Sequence, residues 1–316
     1  MRILLDVFLL ILGFILLIKG ADIFVSACVE IARRLKISNL VIGLTVMAMG
    51  TSAPELMISV SAAVGGSGDL AVANVVGSNV FNLLFIVGFC ALLYPIDVKL
   101  SAISRDYWVS VAATVTLFVM VIIFNDRLPR FGSLILLVGF ISYMVVVVRH
   151  AVKNRVESED TDQSCIKPKP LAKSILFALL GALAIVGGGQ LTVLSAIDIA
   201  LAVGVTERVI GLTIVAMGTS LPELVTTIIA CRKKEGEFAL GFIIGSSIFN
   251  IMFVLGVAGL IIPLTIERAV IFDLSVLLFG TLIFFLFAYS SRRVVRLEGF
   301  TMVMIYAAYM GFVFFL

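Results

Sequence analysis

The chain has 316 residues, of which 61% are hydrophobic and 14% are charged, and its mean hydropathy is +1.21. Soluble domains have an apolar share of roughly 45–50%, so this composition indicates an integral membrane protein. The net charge of +3 is small and the basic residues lie in short stretches between apolar segments, which argues against nucleic-acid binding. The four cysteines, Cys28, Cys90, Cys165 and Cys231, stand alone in different segments, which argues against a disulfide framework or a zinc site and favours packing or loop roles.

Apolar segments long enough to cross a membrane follow one another along the chain. A spanning helix needs about 20 residues, and the sequence contains ten such segments, at residues 3–33, 39–64, 69–95, 104–124, 131–150, 170–203, 207–231, 237–263, 267–288 and 297–316. The only long polar stretch, residues 151–169, has the composition of a solvated linker. We therefore expect an all-α membrane protein with five helices in 1–150, a linker in 151–169 and five helices in 170–316.

The basic residues predict the orientation, because cytoplasmic loops carry the excess of Lys and Arg. The stretches between helices 1 and 2, 3 and 4, 5 and 6, 7 and 8, and 9 and 10 hold most of them, among them Arg33, Lys99, Arg155 and Lys234. This pattern predicts that both termini face outward and that the acidic linker is cytoplasmic. We expect the protein in the cell membrane, that is, a plasma or inner membrane.

The two halves contain an internal repeat. Residues 41–95 align with residues 209–263 without a gap, with 24 identities in 55 positions. Because each half has an odd number of helices, the second copy must enter the membrane from the opposite face. Inverted repeats of this kind are typical of secondary transporters, whose ion sites lie near the membrane midplane between the repeats.

One repeated motif places a carboxylate and a proline inside an apolar segment. It reads Gly-Thr-Ser-Ala-Pro-Glu at residues 50–55 and Gly-Thr-Ser-Leu-Pro-Glu at residues 218–223. A carboxylate at mid-membrane depth costs about 2.5–3.5 kcal/mol even on the lenient insertion scale, so Glu55 and Glu223 are candidates for function. Helical spacing puts Thr51 on the face of Glu55 and Thr219 on that of Glu223. The prolines should bend both helices and free backbone carbonyl groups there.

A second repeated motif adds neutral oxygen ligands. Residues 77–82 and 245–250 each carry a serine and an asparagine four positions apart, which share a helix face: Ser78 with Asn82, and Ser246 with Asn250. Together the two motifs supply carboxylate, amide, hydroxyl and carbonyl oxygens without nitrogen or sulfur, the ligand set that hard cations such as Ca²⁺ and Na⁺ take. No cofactor is expected beside these transported ions.

Four charged residues outside the motifs are expected to have structural roles. Lys19 and Asp22, three apart in the first helix, are expected to form an intrahelical pair. Glu30 and Asp198 occupy matching positions near helix ends and are expected to lie at the membrane interface.

Both motifs, in this order and spacing, resemble the paired alpha-repeats of the Na⁺/Ca²⁺ exchangers in the calcium/cation antiporter superfamily. The resemblance covers all ten predicted helices, and the short linker is similar to that of the prokaryotic branch. It implies a core of helices 2, 3, 7 and 8 with two long tilted helices, 1 and 6, that slide across it. It also implies an ion site made of Glu55, Glu223, Thr51, Thr219, Ser52, Ser220, Ser78, Ser246, Asn82, Asn250 and the carbonyl groups of Ala48 and Ala216.

One position departs from part of the family. Potassium-dependent members, and some prokaryotic ones, place an aspartate where this chain has Asn250. The resemblance therefore implies Na⁺-driven Ca²⁺ transport without K⁺ co-transport.

These observations favour a Na⁺/Ca²⁺ antiporter that works as a monomer in the lipid bilayer and is not an enzyme. An antiporter of the same fold for H⁺ and Ca²⁺, or for another cation pair, is the main alternative. A glutamate-lined cation channel is disfavoured because a channel needs no inverted pair of proline-broken helices. An intramembrane hydrolase using Ser52 or Ser220 is disfavoured because no Lys adjoins either serine and the single histidine, His150, lies at a helix end.

Overall fold

Helices account for most of the computed structural model, which describes residues 2–153, 170–204 and 216–315. In chain order they are α1 (Arg2–Leu35), α2 (Asn39–Thr51), α3 (Ala53–Val64), α4 (Gly68–Leu93), α5 (Leu100–Ile123), α6 (Arg130–Lys153), α7 (Leu171–Ala202), α8 (Ala216–Gly218), α9 (Leu221–Arg232), α10 (Gly236–Ile261), α11 (Arg268–Ser291) and α12 (Arg296–Phe315). The predicted all-α class is confirmed. Most of the predicted linker lies outside the described residues.

Seven of the described helices are long and apolar enough to cross a membrane, and the number becomes eight if α2 and α3 form one bent span. Helix α9 has 12 residues, fewer than the roughly 20 that a span needs. It belongs to the predicted span at residues 207–231, which lies partly outside the described residues. A multi-span membrane fold is therefore confirmed, whereas the count of ten spans stays a prediction.

Helices α4 and α10 occupy the centre of the protein. Their most apolar stretches are 78% and 94% buried, compared with 22–39% for the other five candidate spans, whose faces remain free for lipid. Glycine lets α10 approach α2 to backbone distance: a Cβ atom on Gly245 would lie 2.6 Å from the carbonyl oxygen of Leu44. Small residues allow this approach because they remove the side chain that would separate two backbones.

The long helices α1 and α7 pack along each other through a second set of small residues. A Cβ atom on Gly13 would lie 2.8 Å from the Thr192 nitrogen, and one on Gly188 would lie 2.7 Å from the Leu17 nitrogen. The helices have 34 and 32 residues. At 1.5 Å per residue each is about 50 Å long, well beyond the thickness of the hydrocarbon core.

Four two-residue strands join the first half of the chain to the second. Strand β1 (Ile96–Asp97) pairs antiparallel with β4 (Arg293–Val294), and β2 (Arg127–Leu128) pairs antiparallel with β3 (Leu264–Thr265). Each pair thus contains one strand from residues 1–150 and one from residues 170–316. These backbone hydrogen bonds fix the two halves to each other at the helix ends.

The expected pair of Lys19 with Asp22 is wrong. The Asp22 carboxylate lies 3.0 Å from the Lys233 ammonium, which also donates a hydrogen bond of 3.0 Å to the Asp22 carbonyl oxygen. Lys233 lies directly after α9, so this contact joins the end of α9 to α1. An exposed pair within one helix contributes only about 0.2–0.5 kcal/mol, too little to compete with a tertiary ammonium that makes two contacts.

The cysteines behave as packing residues where they are described. Cys28, Cys90 and Cys231 are buried free thiols, whereas Cys165 lies outside the described residues. Cys90 on α4 and Cys231 on α9 contact each other although they are far apart in sequence.

Candidate ion-binding site

Both repeated motifs with a proline interrupt a helix, as predicted. Helix α2 ends at Thr51 and α3 begins at Ala53, with a bend of 47° between them. In the second half, α8 ends at Gly218 and α9 begins at Leu221. Each proline lies within the first two residues of the new helix, where its missing amide proton costs nothing.

The break places each glutamate in the first turn of a helix. Glu55 lies in the first turn of α3 and Glu223 in the first turn of α9. The partial positive charge of a helix N-terminus favours a carboxylate there, typically by 0.3–1 kcal/mol. That stabilisation is small beside the cost of removing a carboxylate from water, so the helix ends alone do not balance the two charges.

The two carboxyl groups lie close enough for their charges to interact, and both side chains are 0% exposed. Within the described residues, both oxygens of Glu55 and Oε2 of Glu223 lack a hydrogen-bond partner. Two buried like charges without a cationic side chain are unfavourable in a low dielectric. The arrangement is therefore suited to bind positive charge between the two helices.

The serines around these carboxylates are arranged asymmetrically. The Ser52 hydroxyl donates to Glu223 Oε1 at 3.3 Å and shares a hydrogen bond of 2.8 Å with the Ser246 hydroxyl. Ser220 and Ser78 are the residues at the equivalent positions of the repeat. Ser220 lies beside Glu55, but in the described part of the chain the hydroxyl groups of Ser220 and Ser78 have no hydrogen-bond partner.

The asparagines of the second motif lie in irregular turns. Asn82 and Asn250 belong to π-helical turns at Phe81–Ile86 and Phe249–Val254, a local geometry often found at functional sites. The Asn82 side chain has neither its oxygen nor its nitrogen paired within the described residues, and Asn250 has an unpaired Oδ1. These π turns were not predicted from the sequence.

Asn79 is a further polar residue of this region that the sequence analysis missed. Its Nδ2 donates to the carbonyl oxygen of Ser247 at 3.2 Å, and its Oδ1 accepts a hydrogen bond of 3.2 Å from Asn250 Nδ2. These bonds orient the Asn250 amide and leave its oxygen available. Asn79 escaped notice because the equivalent position of the repeat holds Ser247, so the identity between the two copies is lost there.

Four further residues of the predicted ion site are Thr51, Ala48, Thr219 and Ala216. Thr51 lies beside the Glu223 carboxyl group and donates to the Met47 carbonyl oxygen at 3.2 Å. The Ala48 carbonyl oxygen accepts a hydrogen bond of 3.2 Å from the Ser52 amide. Thr219 is buried with its hydroxyl unpaired among the described residues. Ala216 is the first residue of α8.

The structure thus links Ser52, Ser246 and Glu223 by hydrogen bonds, and it places Ser220 beside Glu55 and Thr51 beside Glu223. Ser78, Asn82 and Thr219 are buried polar side chains without a partner in the described chain. A cavity of about 170 Å³ reaches Thr219 from the side of α7 and is also lined by Pro54 and Pro222. The described residues contain no cluster of three or more His, Cys, Asp or Glu side chains that could hold a metal ion. Any cation here would therefore depend on two carboxylates and on neutral oxygens.

Comparison with known proteins identifies the family of this chain. A sequence model described as sodium/calcium exchanger protein matches residues 5–149 and 173–315. The chain belongs to the sodium/calcium exchanger family. The predicted resemblance is thereby confirmed, and it applies to both halves of the chain.

Relatives of the exchanger family match over nearly the full length. The putative antiporter CaxA of Alkalimonas amylolytica is 38% identical over 309 residues, which is 96% of each chain. The sodium/calcium exchanger MaX1 of Methanosarcina acetivorans is 33% identical and the match covers 98% of each chain. A structure of the sodium-calcium exchanger NCX_Mj, soaked with Na⁺ and Sr²⁺, superimposes with a TM-score of 0.85 at 32% identity over 98% of each chain. Family and structure together support cation/Ca²⁺ antiport rather than catalysis.

Proposed function

We propose that the protein exchanges Na⁺ for Ca²⁺ across the membrane at one site centred on Glu55 and Glu223. The observation that carries this proposal is the pair of fully buried carboxyl groups, one from each half, with three of their four oxygens unpaired within the described residues. Buried ionisable groups in membrane segments normally mark an ion path because their cost must be offset by function.

The exchange of Na⁺ for Ca²⁺ is explained by competition of the two ions for the same two negative charges. Two carboxylates balance one Ca²⁺, or two Na⁺, but not both loads at once. Ca²⁺ takes six to eight oxygens, and the proposed ligands beyond the carboxylates are the hydroxyl, amide and carbonyl oxygens of Thr51, Ser52, Ser78, Asn82 and Ala48 and of their repeats Thr219, Ser220, Ser246, Asn250 and Ala216. A site without cations would leave two charges in a low dielectric, which opposes the conformational change and so prevents leak.

Alternating access follows from the proposed inverted repeat. We propose ten spanning helices, five in 1–150 and five in 170–316, with opposite orientations and a linker between them. The pairing of β1 with β4 and of β2 with β3 supports this symmetry, since each pair joins one half to the other. Ser52 and Ser246 share a hydrogen bond, whereas the hydroxyl groups of Ser220 and Ser78 have no partner among the described residues. This difference supports a conformation in which the halves are not equivalent.

The proposed setting is the cell membrane, with both termini outside and the acidic linker in the cytoplasm. The positive-inside distribution of Lys and Arg supports this orientation. We propose that one chain is a complete transporter, because the carboxylates that form the site both belong to the same chain.

An H⁺/Ca²⁺ antiporter remains the second candidate, because the same two carboxylates can be neutralised by protons. Ca²⁺ flux into proteoliposomes separates the candidates when Na⁺, K⁺ or H⁺ gradients are imposed one at a time. Na⁺-driven Ca²⁺ flux that Na⁺ inhibits competitively on the Ca²⁺ side supports the proposal. Flux driven by a pH gradient alone, without a response to Na⁺, would replace it by the second candidate.

A further inference from the structure

A second pair of carboxylates lies where α1 begins and α7 ends. Asp6 on α1 and Asp198 on α7 line one cavity of about 340 Å³, together with Ile3, Leu201 and Ala202. Asp6 is two helical turns from Gly13 in sequence, and Gly13 marks the close contact between α1 and α7. The cavity therefore sits at one end of the seam between these two helices.

The Asp6 side chain is deeply buried, and it has no partner among the residues that the structure describes. Only 6% of the residue is exposed, and within the described residues it forms no hydrogen bond or ion pair. Asp198 is half-buried and is likewise without a hydrogen bond or ion pair in the described chain. An acidic group removed from water without compensation is costly, so a positive charge in the cavity would lower that cost.

The opposite end of the same helix pair shows how such a charge is otherwise balanced. Glu30 is the repeat equivalent of Asp198, and its carboxylate lies 2.6 Å from Arg33 and 3.1 Å from Arg34. The repeat equivalent of Asp6 is Ser174, which carries no charge. The end with Glu30 therefore contains its own cations, whereas the described lining of the Asp6 cavity contains two acids and no basic residue.

We propose that Asp6 and Asp198 hold a hydrated divalent cation of the Ca²⁺ class at this end of the α1–α7 seam. Two carboxylates from two helices supply two of the six to eight oxygens, and the volume leaves room for water to supply the rest. A site with so few protein ligands belongs with weak Ca²⁺ sites, whose dissociation constants are about 10⁻⁴–10⁻³ M. None of its lining residues belongs to the proposed site at Glu55 and Glu223, so its test does not depend on which ions are transported.

The test measures Mn²⁺ binding to the full chain in detergent, with the central site removed by Glu55→Gln and Glu223→Gln. Free Mn²⁺ gives a six-line electron paramagnetic resonance spectrum whose loss counts the bound ion. We expect one saturable, Ca²⁺-displaceable Mn²⁺ per chain. Asp6→Asn and Asp198→Asn should each weaken it at least tenfold, while the matched control Glu30→Gln leaves it unchanged. Binding that survives both aspartate substitutions, or a parent chain without saturable Mn²⁺, would overturn the proposal.

Arg2 supplies the decisive further control because it stands four positions before Asp6 in the sequence, the spacing of an ion pair in a helix. Under the proposal, Arg2→Gln leaves the Mn²⁺ affinity unchanged or raises it, since it removes a nearby positive charge. Mn²⁺ binding that appears only in the Arg2→Gln chain would show that Arg2 already neutralises Asp6, and the proposed site would then be wrong.

Discussion

Removing one hydroxyl from each half should have unequal effects, because the structure uses the two serines differently. Ser52→Ala removes the hydrogen bonds to Ser246 and to Glu223 Oε1, of 2.8 and 3.3 Å, and leaves both partners buried. Leaving a buried polar group unpaired costs about 1–3 kcal/mol. Ser220→Ala is the matched control: the residue is equally buried at 0% exposure, and its hydroxyl has no partner within the described residues. Its loss should change the free energy of unfolding by close to zero.

Thermal unfolding of the detergent-purified protein, in choline buffer with a chelator, measures this difference. We expect Ser52→Ala to unfold a few degrees below the parent and Ser220→Ala to unfold near it. Adding Ca²⁺ should stabilise the parent more than either variant, since both serines are proposed ligands. Equal shifts for the two variants without ions would refute the asymmetric hydrogen bonding, and full Ca²⁺ stabilisation of both would refute their role as ligands.

Three further predictions concern charge and packing. Glu55→Gln and Glu223→Gln should each abolish Ca²⁺ flux in proteoliposomes, because each carboxylate supplies half of the balancing charge. Size-exclusion chromatography should show that both variants remain folded. Near-normal flux in either variant would contradict the proposed site. Replacing K⁺ by choline on both sides of the membrane should leave Na⁺-driven Ca²⁺ flux unchanged, since Asn250 brings no charge that would balance another cation. Asn250→Asp should alter the cation selectivity. Strict K⁺ dependence of the parent protein would contradict this reasoning. Gly245→Ala should lower the unfolding temperature, because its Cβ would lie 2.6 Å from an α2 carbonyl oxygen. Gly187→Ala should not lower it, because beyond its own helix backbone and chain neighbours no atom of the described residues lies within 4 Å of the added Cβ. Equal shifts would contradict the close contact of α2 with α10.

The sequence alone was sufficient for the all-α membrane class, the family and the break at each motif. These features depend on local properties. The length of an apolar segment decides whether it can span the bilayer, and Pro54 breaks its helix because it lacks an amide proton wherever the rest of the chain lies. The repeat between residues 41–95 and 209–263 pointed to Glu55 and Glu223 because duplication marks both copies at once.

Only the tertiary structure decided which distant groups meet. Asn79 and Asn250 form a hydrogen bond although they are 171 positions apart in the sequence, and Ser52 contacts Ser246 across 194 positions. The hydrophobic periodicity of the sequence carries no information about contacts over such separations. The same reason explains the wrong prediction for Asp22: the sequence offered Lys19 nearby, whereas the fold brought Lys233 from 211 positions away. Ser52 forms hydrogen bonds, whereas the Ser220 hydroxyl has no partner among the residues that the structure describes, although the two motifs are nearly identical. They differ because the packing of the two halves, and not the local sequence, sets which partner each side chain meets.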